Sequence, residues 1–437
     1  MFKKLLIANR GEVALRIARA ARELDVRTVG VFSEADRDSR WVRALDEAVG
    51  IGGSAPRESY LNAERIVQAA LQTGASAVHP GWGFLAENAR FAALVEQHGI
   101  TFVGPSPSVM RTMGLKSPAK AAMRAAGLPV IPGSIGLLAN VDAALACARE
   151  TGYPVILKAD AGGGGRGMRL CKSDDELRAA FTQASAEAQA AFGNGAMYLE
   201  KYLTGGRHIE VQVLADRFGK ALHLCERECS VQRSHQKLVE EGPSPALDVK
   251  QRAELGALAA RAAGSIGYTG AGTIEFLRAE TGQIYFMEMN TRLQVEHPVT
   301  EMITGVDIVK EQLKIAANER LSFDQASIAP RGHAIECRIN AEDPEQNFRP
   351  APGVLARFDF PLDRAARIAD VLLDLAREDK NGGISWLVED PFRATADLML
   401  GCGGVAHFLL RLCHADFSPP LLLASKTLQE PAGAYPR

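Results

Sequence analysis

The chain has 437 residues and a formal net charge of −2, with 50 Lys and Arg set against 52 Asp and Glu, and 47% of it is hydrophobic. That length exceeds one compact core and predicts two or three packed domains, while the near-neutral balance supplies no field to attract nucleic acid. No apolar run approaches the roughly 18 residues of a membrane span, the run LLIA near the start is too short for a signal peptide, and seven scattered cysteines make no disulfide framework, which points to a reducing cytoplasm.

In chain order, residues 4–8 (KLLIA) read as a strand, Glu12 to Leu24 as a helix and residues 28–32 (TVGVF) as a strand, a βαβ unit. Its turn, Asn9-Arg10-Gly11, has one glycine where a dinucleotide fingerprint needs three, which weakens an NAD reading. Two further alternations, ending in SAVHPGWGFLAEN (76–88) and ITFVGPS (100–106), predict a Rossmann-like, doubly wound α/β domain over residues 1–113. Residues 114–330 follow as a second domain carrying a lid at about 131–203, built from GLPVIPG and YPVILKA as strands, a glycine-rich loop, the helix DDELRAAFTQASAEAQAAF and AMYLEKYL. Four strands over 208–216, 221–230, 270–279 and 283–290 then alternate charged with apolar residues, the pattern of one working face and one buried face.

Five groups of residues carry chemistry. Lys158 ends a strand and precedes five glycines within residues 162–167; only glycine lets successive N–H groups approach a polyphosphate closely, and with no Gly-Lys-Ser/Thr the loop is not a Walker loop. Glu275 lies on one strand, and Glu288 and Asn290, two apart, share a face of the next, a hard-oxygen set suited to Mg²⁺ and substrate phosphates. Arg292, Gln294, Glu296 and His297 follow at once, offering an arginine to clamp a planar anion and a carboxylate to act as general base. Gln232, Arg233, His235 and Lys237 form a further cluster and Arg338 another, cations suited to charge on a transferring phosphoryl group. Cys225, Cys229 and His235 lack the second pair a zinc site requires.

The stretches IANRGEVALRI, HPGWGFLAEN, KADAGGGGRGMR, YLEKYL, RHIEVQVLAD, ERECSVQRSHQK, GAGTIEFL, EMNTRLQVEHPVTEMITGVD and ECRINAEDP together resemble the biotin carboxylase subunits and domains of biotin-dependent carboxylases, over about residues 1–358. The resemblance implies an ATP-grasp ligase that makes carboxyphosphate from ATP, Mg²⁺ (or Mn²⁺) and bicarbonate and then carboxylates biotin held on a carrier protein. It implies nucleotide contacts at Lys116, Lys158, Gly164, Gly165, Glu200, Lys201, Tyr202, Leu203, His208, Gln232 and His235, and metal ligation by Glu275, Glu288 and Asn290. By the same resemblance Lys237, Arg292, Gln294 and Val295 bind bicarbonate, Glu296 deprotonates it, and Arg338 stabilises the biotin enolate. Implied partners are a biotin carboxyl carrier protein, carboxyltransferase subunits and a second copy of the chain in a homodimer. The implied place is the first half-reaction of acetyl-CoA carboxylase, in fatty acid synthesis, with propionyl-CoA, other acyl-CoA or pyruvate carboxylases as alternatives. RLQVEHP, SHQK and RINAED together argue against other ATP-grasp ligases.

The resemblance departs in two places. Leu115 stands beside Lys116 where the family usually carries a carboxylate, and after about residue 358 the third domain (331–437) loses all family pattern. The tail is rich in Leu, Ala, Arg and Asp, which predicts a shifted reading frame in a GC-rich gene, with a lineage-specific replacement as the alternative; the shift predicts an incomplete or atypical C-terminal domain and raises a nucleotide-binding but silent chain as a further alternative. No Ala-Met-Lys-Met motif is present, so the biotinylated carrier is expected to be a separate polypeptide.

Overall fold

The structure is a computed structural model that describes residues 1–160, 168–351, 393–400 and 405–413, the last two spans by their backbone alone. Gly164, Gly165 and the departure at residue 358 lie outside the described residues.

The chain begins with β1 (Lys4–Ile7), α1 (Gly11–Arg22), β2 (Arg27–Ser33), α2 (Arg40–Arg43), β3 (Glu47–Gly52), α3 (Ala63–Thr73), β4 (Ala77–His79), α4 (Ala89–Gln97), β5 (Thr101–Phe102) and α5 (Pro107–Gly114). The five strands pair in parallel in the order β3-β2-β1-β4-β5. Parallel pairing requires helical crossovers that cover both faces, and two apolar cores flank the sheet, one around Leu5, Ile7 and Ile17, the other around Leu6, Val29, Val78 and Phe91. Asn62, Asn88 and Ser106 start α3, α4 and α5 by accepting from backbone N–H groups three residues on.

After α6 (Lys116–Ala125), a smaller unit comprises α7 (Val141–Thr151), β6 (Val155–Ala159), β7 (Met168–Cys171), α8 (Asp174–Phe192) and β8 (Met197–Lys201). Its antiparallel sheet, ordered β7-β6-β8, covers its own apolar core, which includes Leu145, Val155, Leu157, Leu177 and Leu199. GLPVIPG is not a strand here: Val130 makes a single bridge to Phe286 and Gly133 one to Glu200. Pro129 and Pro132 lack the N–H groups a ladder needs, so only isolated contacts form. The helix α7, which the sequence did not announce, packs on α8.

The rest is a large antiparallel sheet with its helices. Its elements are β9 (Arg207–Ala215), β10 (Ala221–Arg233), β11 (Gln236–Gly242), α9 (Val249–Ser265), β12 (Gly270–Arg278), β13 (Ile284–Asn290), α10 (His297–Thr304), α11 (Ile308–Ala316) and β14 (His333–Asn340). A two-stranded ribbon, β15 (Glu342–Asp343) with β16 (Arg349–Pro350), precedes β17 (Arg393–Leu400) and β18 (Val405–Cys413). The strand order is β13-β12-β9-β10-β11-β14-β18-β17, so the last two strands extend the sheet beyond β14. Apolar side chains of β9, β12 and α9, among them Ile209, Val211, Ile274, Phe276 and Ala259, form the core beneath one face. Among the described residues no helix is long and apolar enough to cross a membrane.

Arg16 of α1 ties the N-terminal sheet to the second unit. Its Nη2 donates to Glu301 Oε1 of α10 at 2.8 Å and to Asp307 Oδ1 at the start of α11 at 2.7 Å, while Ile17 and Leu5 join Leu313 and Leu224 in one apolar cluster. Because removing one partner strands a buried charge, Arg16→Ala should cost about 3–5 kcal/mol in urea unfolding. Burial, against the pull of Arg16, pushes the Glu301 carboxyl up to about 7. That lies above the unfolded value of about 4.3, so Glu301's contribution to stability is fully present below that value and is lost as pH rises through about 7. Melting temperatures taken from about pH 5 to 8 should therefore fall less steeply in Glu301→Gln than in the parent; matching slopes would contradict this.

Candidate functional site

A cleft of about 780 Å³ opens over the face of the large sheet that carries charged residues, with walls from the glycine turns after β1 and β4, from β6 and from β14. Its floor is set by strand register. Arg227 of β10 lies opposite Glu210 of β9, Glu210 opposite Glu275 of β12, and Glu275 opposite Glu288 of β13. Three carboxylates therefore stand side by side across adjacent strands, an arrangement that like-charge repulsion disfavours unless cations intervene.

Lys237 of β11 supplies the main one. Its ammonium donates to Glu210 at 2.5 Å, Glu275 at 3.0 Å and Glu296 at 2.6 Å, and lies 3.3 Å from Gln294 Oε1. Burial pulls the ammonium pKa down, but Glu210, Glu296 and Glu275 outweigh it and hold Lys237 protonated well above the usual lysine range. The fully buried Arg227 donates to Glu210 at 2.6 Å and also reaches Gln212, Thr273 and Thr300. Burial favours the neutral form of Glu296, yet Lys237, Arg338 and Arg227 together hold its carboxyl well below the ordinary range. Arg338, on β14, spans two acids: Nε donates to Glu240 at 2.6 Å and Nη2 to Glu296 at 2.9 Å.

At the other end of the row, Asn290 Nδ2 donates to Glu275 Oε1 at 2.8 Å, and His208 Nε2 stands 3.1 Å from Glu275 Oε2. Glu275 is held well below the usual carboxylate range, burial being outweighed by Lys237 and His208. Glu288, facing the cleft, is raised by desolvation and then by Glu275, with Lys116 at 3.9 Å partly opposing the rise. Two facing carboxylates, one of them electrostatically frustrated, fit a divalent cation, which would relieve that repulsion; the amide oxygen of Asn290, now held by Arg292, would have to turn to join them. Glu210, Cys229 and Glu296 also approach within 4.8 Å of one another, but Lys237 already occupies that acidic pocket. His235 does not join Cys225 and Cys229: both cysteines are buried on β10, whereas His235 stands exposed at the β10–β11 hairpin. Ser234 and His235 both have positive φ there, 50° and 64°, as a two-residue hairpin turn demands.

The remaining residues singled out from the sequence divide into two groups. Lys116, Lys158, His208, Gln232, His235, Arg292 and Val295 line the cleft with the residues above. Gln232 Nε2 lies 2.9 Å from His208 Nδ1, and Lys158 donates to Glu200 at 2.5 Å. The side chains of Glu200, Lys201, Tyr202 and Leu203 lie outside that lining: Glu200 is buried, and Lys201 Nζ turns to the carbonyls of Gly152 and Tyr153, each at 2.9 Å. Arg292 donates Nε to Glu87 at 2.9 Å and Nη2 to Asn290 at 2.8 Å, so its guanidinium is already engaged.

Sequence reasoning missed Glu87, Lys120, Glu210, Arg227 and Glu240. Glu210, Arg227 and Glu240 each interrupt an apolar strand, which was the available signal. Glu87 sat unremarked inside a quoted stretch, and nothing local marks Lys120, which donates to Glu200 at 2.7 Å.

A mixed sheet-and-lid architecture with lysines over the cleft and paired acids on adjacent strands defines an ATP-grasp ligase. Family profiles match in the same order, the biotin carboxylase N-terminal domain over residues 1–110 and the carbamoyl-phosphate synthase L chain ATP-binding domain over residues 116–323. Biotin carboxylase from Nostoc sp. is 56% identical, covering 84% of this chain and 82% of its own. The 2-oxoglutarate carboxylase small subunit of Hydrogenobacter thermophilus is 54% identical, over 83% and 76%. Among solved structures, the biotin carboxylase domain dimer of that enzyme, in complex with MgADP, ADP and bicarbonate, superposes with a TM-score of 0.82 at 47% identity, covering 94% of this chain and 86% of the other. Campylobacter jejuni biotin carboxylase in its β,γ-ATP complex gives 0.82 at 43%, over 94% and 88%. The chain belongs to the biotin carboxylase family.

The row of acids makes a direct prediction. Lys237→Met should destabilise the fold by about 3–5 kcal/mol, because it leaves buried carboxylates without their cation. Adding Glu210→Gln should recover part of that loss in a double-mutant cycle by urea unfolding; strict additivity would show that the two do not interact.

Proposed function

We propose that this chain carboxylates biotin on a biotin carboxyl carrier protein, using ATP and bicarbonate through carboxyphosphate, as the first half-reaction of an acetyl-CoA carboxylase. The observation that carries the reading is the meeting of Lys237, Glu296 and Arg338 in one cleft with the facing carboxylates Glu275 and Glu288. Bicarbonate is a poor electrophile until phosphorylation gives it a leaving group, so the chemistry is chiefly positioning and electrostatics.

In this reading Lys116, Lys158, His208, Gln232, His235, the stretch Glu200 to Leu203 and the glycines at 164 and 165 bind nucleotide. Glu275, Glu288 and Asn290 would hold Mg²⁺ or Mn²⁺, which would neutralise phosphate charge. Lys237, Arg292, Gln294 and Val295 hold bicarbonate. Glu296, kept ionised by three cations, accepts its proton, and Arg338 faces the biotin enolate. Glu87 and Asn290 must yield Arg292 for it to reach an anion. The domain limits 1–113, 114–330 and 331–437, the cytoplasmic location, the homodimer and the carboxyltransferase partners belong to the same proposal. Relatives that carry the name biotin carboxylase support the biotin half-reaction; the kinship with a 2-oxoglutarate carboxylase subunit makes a 2-oxo acid the acceptor that competes with acetyl-CoA.

The purified chain should cleave ATP in a bicarbonate-dependent way that free biotin stimulates, and Glu296→Gln should lower that turnover by about 10²- to 10⁴-fold while nucleotide still binds by calorimetry. ATP cleavage indifferent to both bicarbonate and biotin would refute the reading. Mixing with carrier and carboxyltransferase subunits and following malonyl-CoA tests the acceptor. Resequencing through codon 360 tests the frame shift, which one uninterrupted frame would exclude.

A further inference from the structure

Lys120 stands on α6 one turn after Lys116, but of the two only Lys116 lines the cleft. The residue is 6% exposed; its ammonium donates to Glu200 Oε1 of β8 at 2.7 Å, lies 3.4 Å from the Ile131 carbonyl oxygen and sits 5.4 Å from the centre of the Tyr198 ring. The second oxygen of Glu200, Oε2, accepts from Lys158 of β6 at 2.5 Å. Glu200 is itself 3% exposed, whereas Lys158 and Tyr198 both reach the cleft. One enclosed carboxylate is thus divided between an enclosed lysine and a cleft lysine.

We propose that Lys120 is a positioning residue for nucleotide: it cancels the charge of Glu200 from behind, so that Glu200 aims the Lys158 ammonium without neutralising it. This rests on the reading of the cleft as a nucleotide site. Alone with Lys158, Glu200 would close a neutral ion pair, and the β6 wall would offer a polyphosphate no net charge. With Lys120 present the three groups carry a surplus of one positive charge, and Lys158 is the member that faces the cleft. Lysines act on phosphate as point charges, so an uncancelled one is what the site needs.

The neighbouring charges make that surplus matter. Burial first, then Glu200, Glu288 and Asp160, raise the Tyr198 phenol well above its usual value, which marks three acids around one ring. Asp160 Oδ1 accepts the Ser117 N–H in the first turn of α6, and Glu288 lies 3.9 Å from Lys116. Take Lys120 away and this side of the cleft keeps Lys116 and Lys158 against three acids, a poor surface for a polyphosphate. Burial favours the neutral form of Glu200, yet Lys158 and Lys120 together hold its carboxyl below the ordinary range. The cancelling charge is therefore a lysine and not a proton.

Calorimetry on the full chain with MgADP tests this. Lys120→Met should weaken MgADP binding at least about tenfold, and Lys120→Arg, which keeps the charge, should keep most of the affinity. Lys120→Gln, which offers Glu200 a donor without the charge, should bind as weakly as Lys120→Met, and it carries the test if Lys120→Met does not fold. Adding Glu200→Gln to either neutral variant should recover part of the loss, because Lys158 then has no carboxylate to neutralise it. In turnover assays KM for ATP should rise in Lys120→Gln while KM for bicarbonate stays at the parent value. Full affinity in Lys120→Gln, a further loss on adding Glu200→Gln, or equal rises in the two KM values would overturn the proposal. A parent that binds no MgADP would overturn the nucleotide reading and the proposal with it; a parent that binds MgADP and is indifferent to the charge at Lys120 would overturn the proposal alone.

Discussion

Most of the site depends on one electrostatic constraint: the ammonium of Lys237 held among Glu210, Glu275 and Glu296. Strand register places Glu210, Glu275 and Glu288 in consecutive positions across three strands, and that row is tenable only because Lys237 and Arg227 lie against it. The acids keep the lysine charged despite burial, and the lysine in turn keeps Glu296 ionised, with Arg338 and Arg227 adding to the effect. A carboxylate that stays deprotonated and an ammonium that stays protonated, 2.6 Å apart, give the cleft a fixed pair of charges. Neither charge state would survive in that position alone.

The rest of the molecule provides a rigid support and cover for that arrangement. The large sheet is buried on both faces near the site: its apolar face rests on α9, while its charged face lies under α10 and the N-terminal unit, so Arg227 and Glu210 have no exposed surface. Low local dielectric strengthens each contact and makes each missing one costly. Arg16 fastens the parallel sheet to α10 and α11, which sets the wall carrying Trp82 and Gly83 against the floor carrying Glu288. Arg338 reaches the cleft from β14, with β18 as its outer neighbour. The departure of the sequence after residue 358 therefore falls next to the strand that bears a cleft residue, while the acids of the row lie several strands away.

Like charges side by side on one sheet are tolerable only where cations reach them: Glu275 has Lys237 and His208 against it, and Glu288 has Lys116.

Much of this was legible in the sequence, and the reasons are local. Alternation of charged and apolar residues marked β9, β10, β12 and β13 closely, because a strand with two environments must alternate, and the i, i+2 spacing of Glu288 and Asn290 fixed a shared face. The glycine loop, the RLQVEHP and SHQK stretches and the family they resemble were readable as blocks. GLPVIPG was misread because apolar content was weighed above its prolines. What tertiary structure alone decided was register and burial. Which carboxylate stands opposite which follows from long-range strand pairing, and nothing near Glu210, Arg227, Lys120 or Glu240 in the chain announces the partner that charges or neutralises it. Sequence determined which groups were available for the chemistry; three-dimensional packing determined their charge, because charge in a buried site depends on neighbours that lie tens to hundreds of residues away.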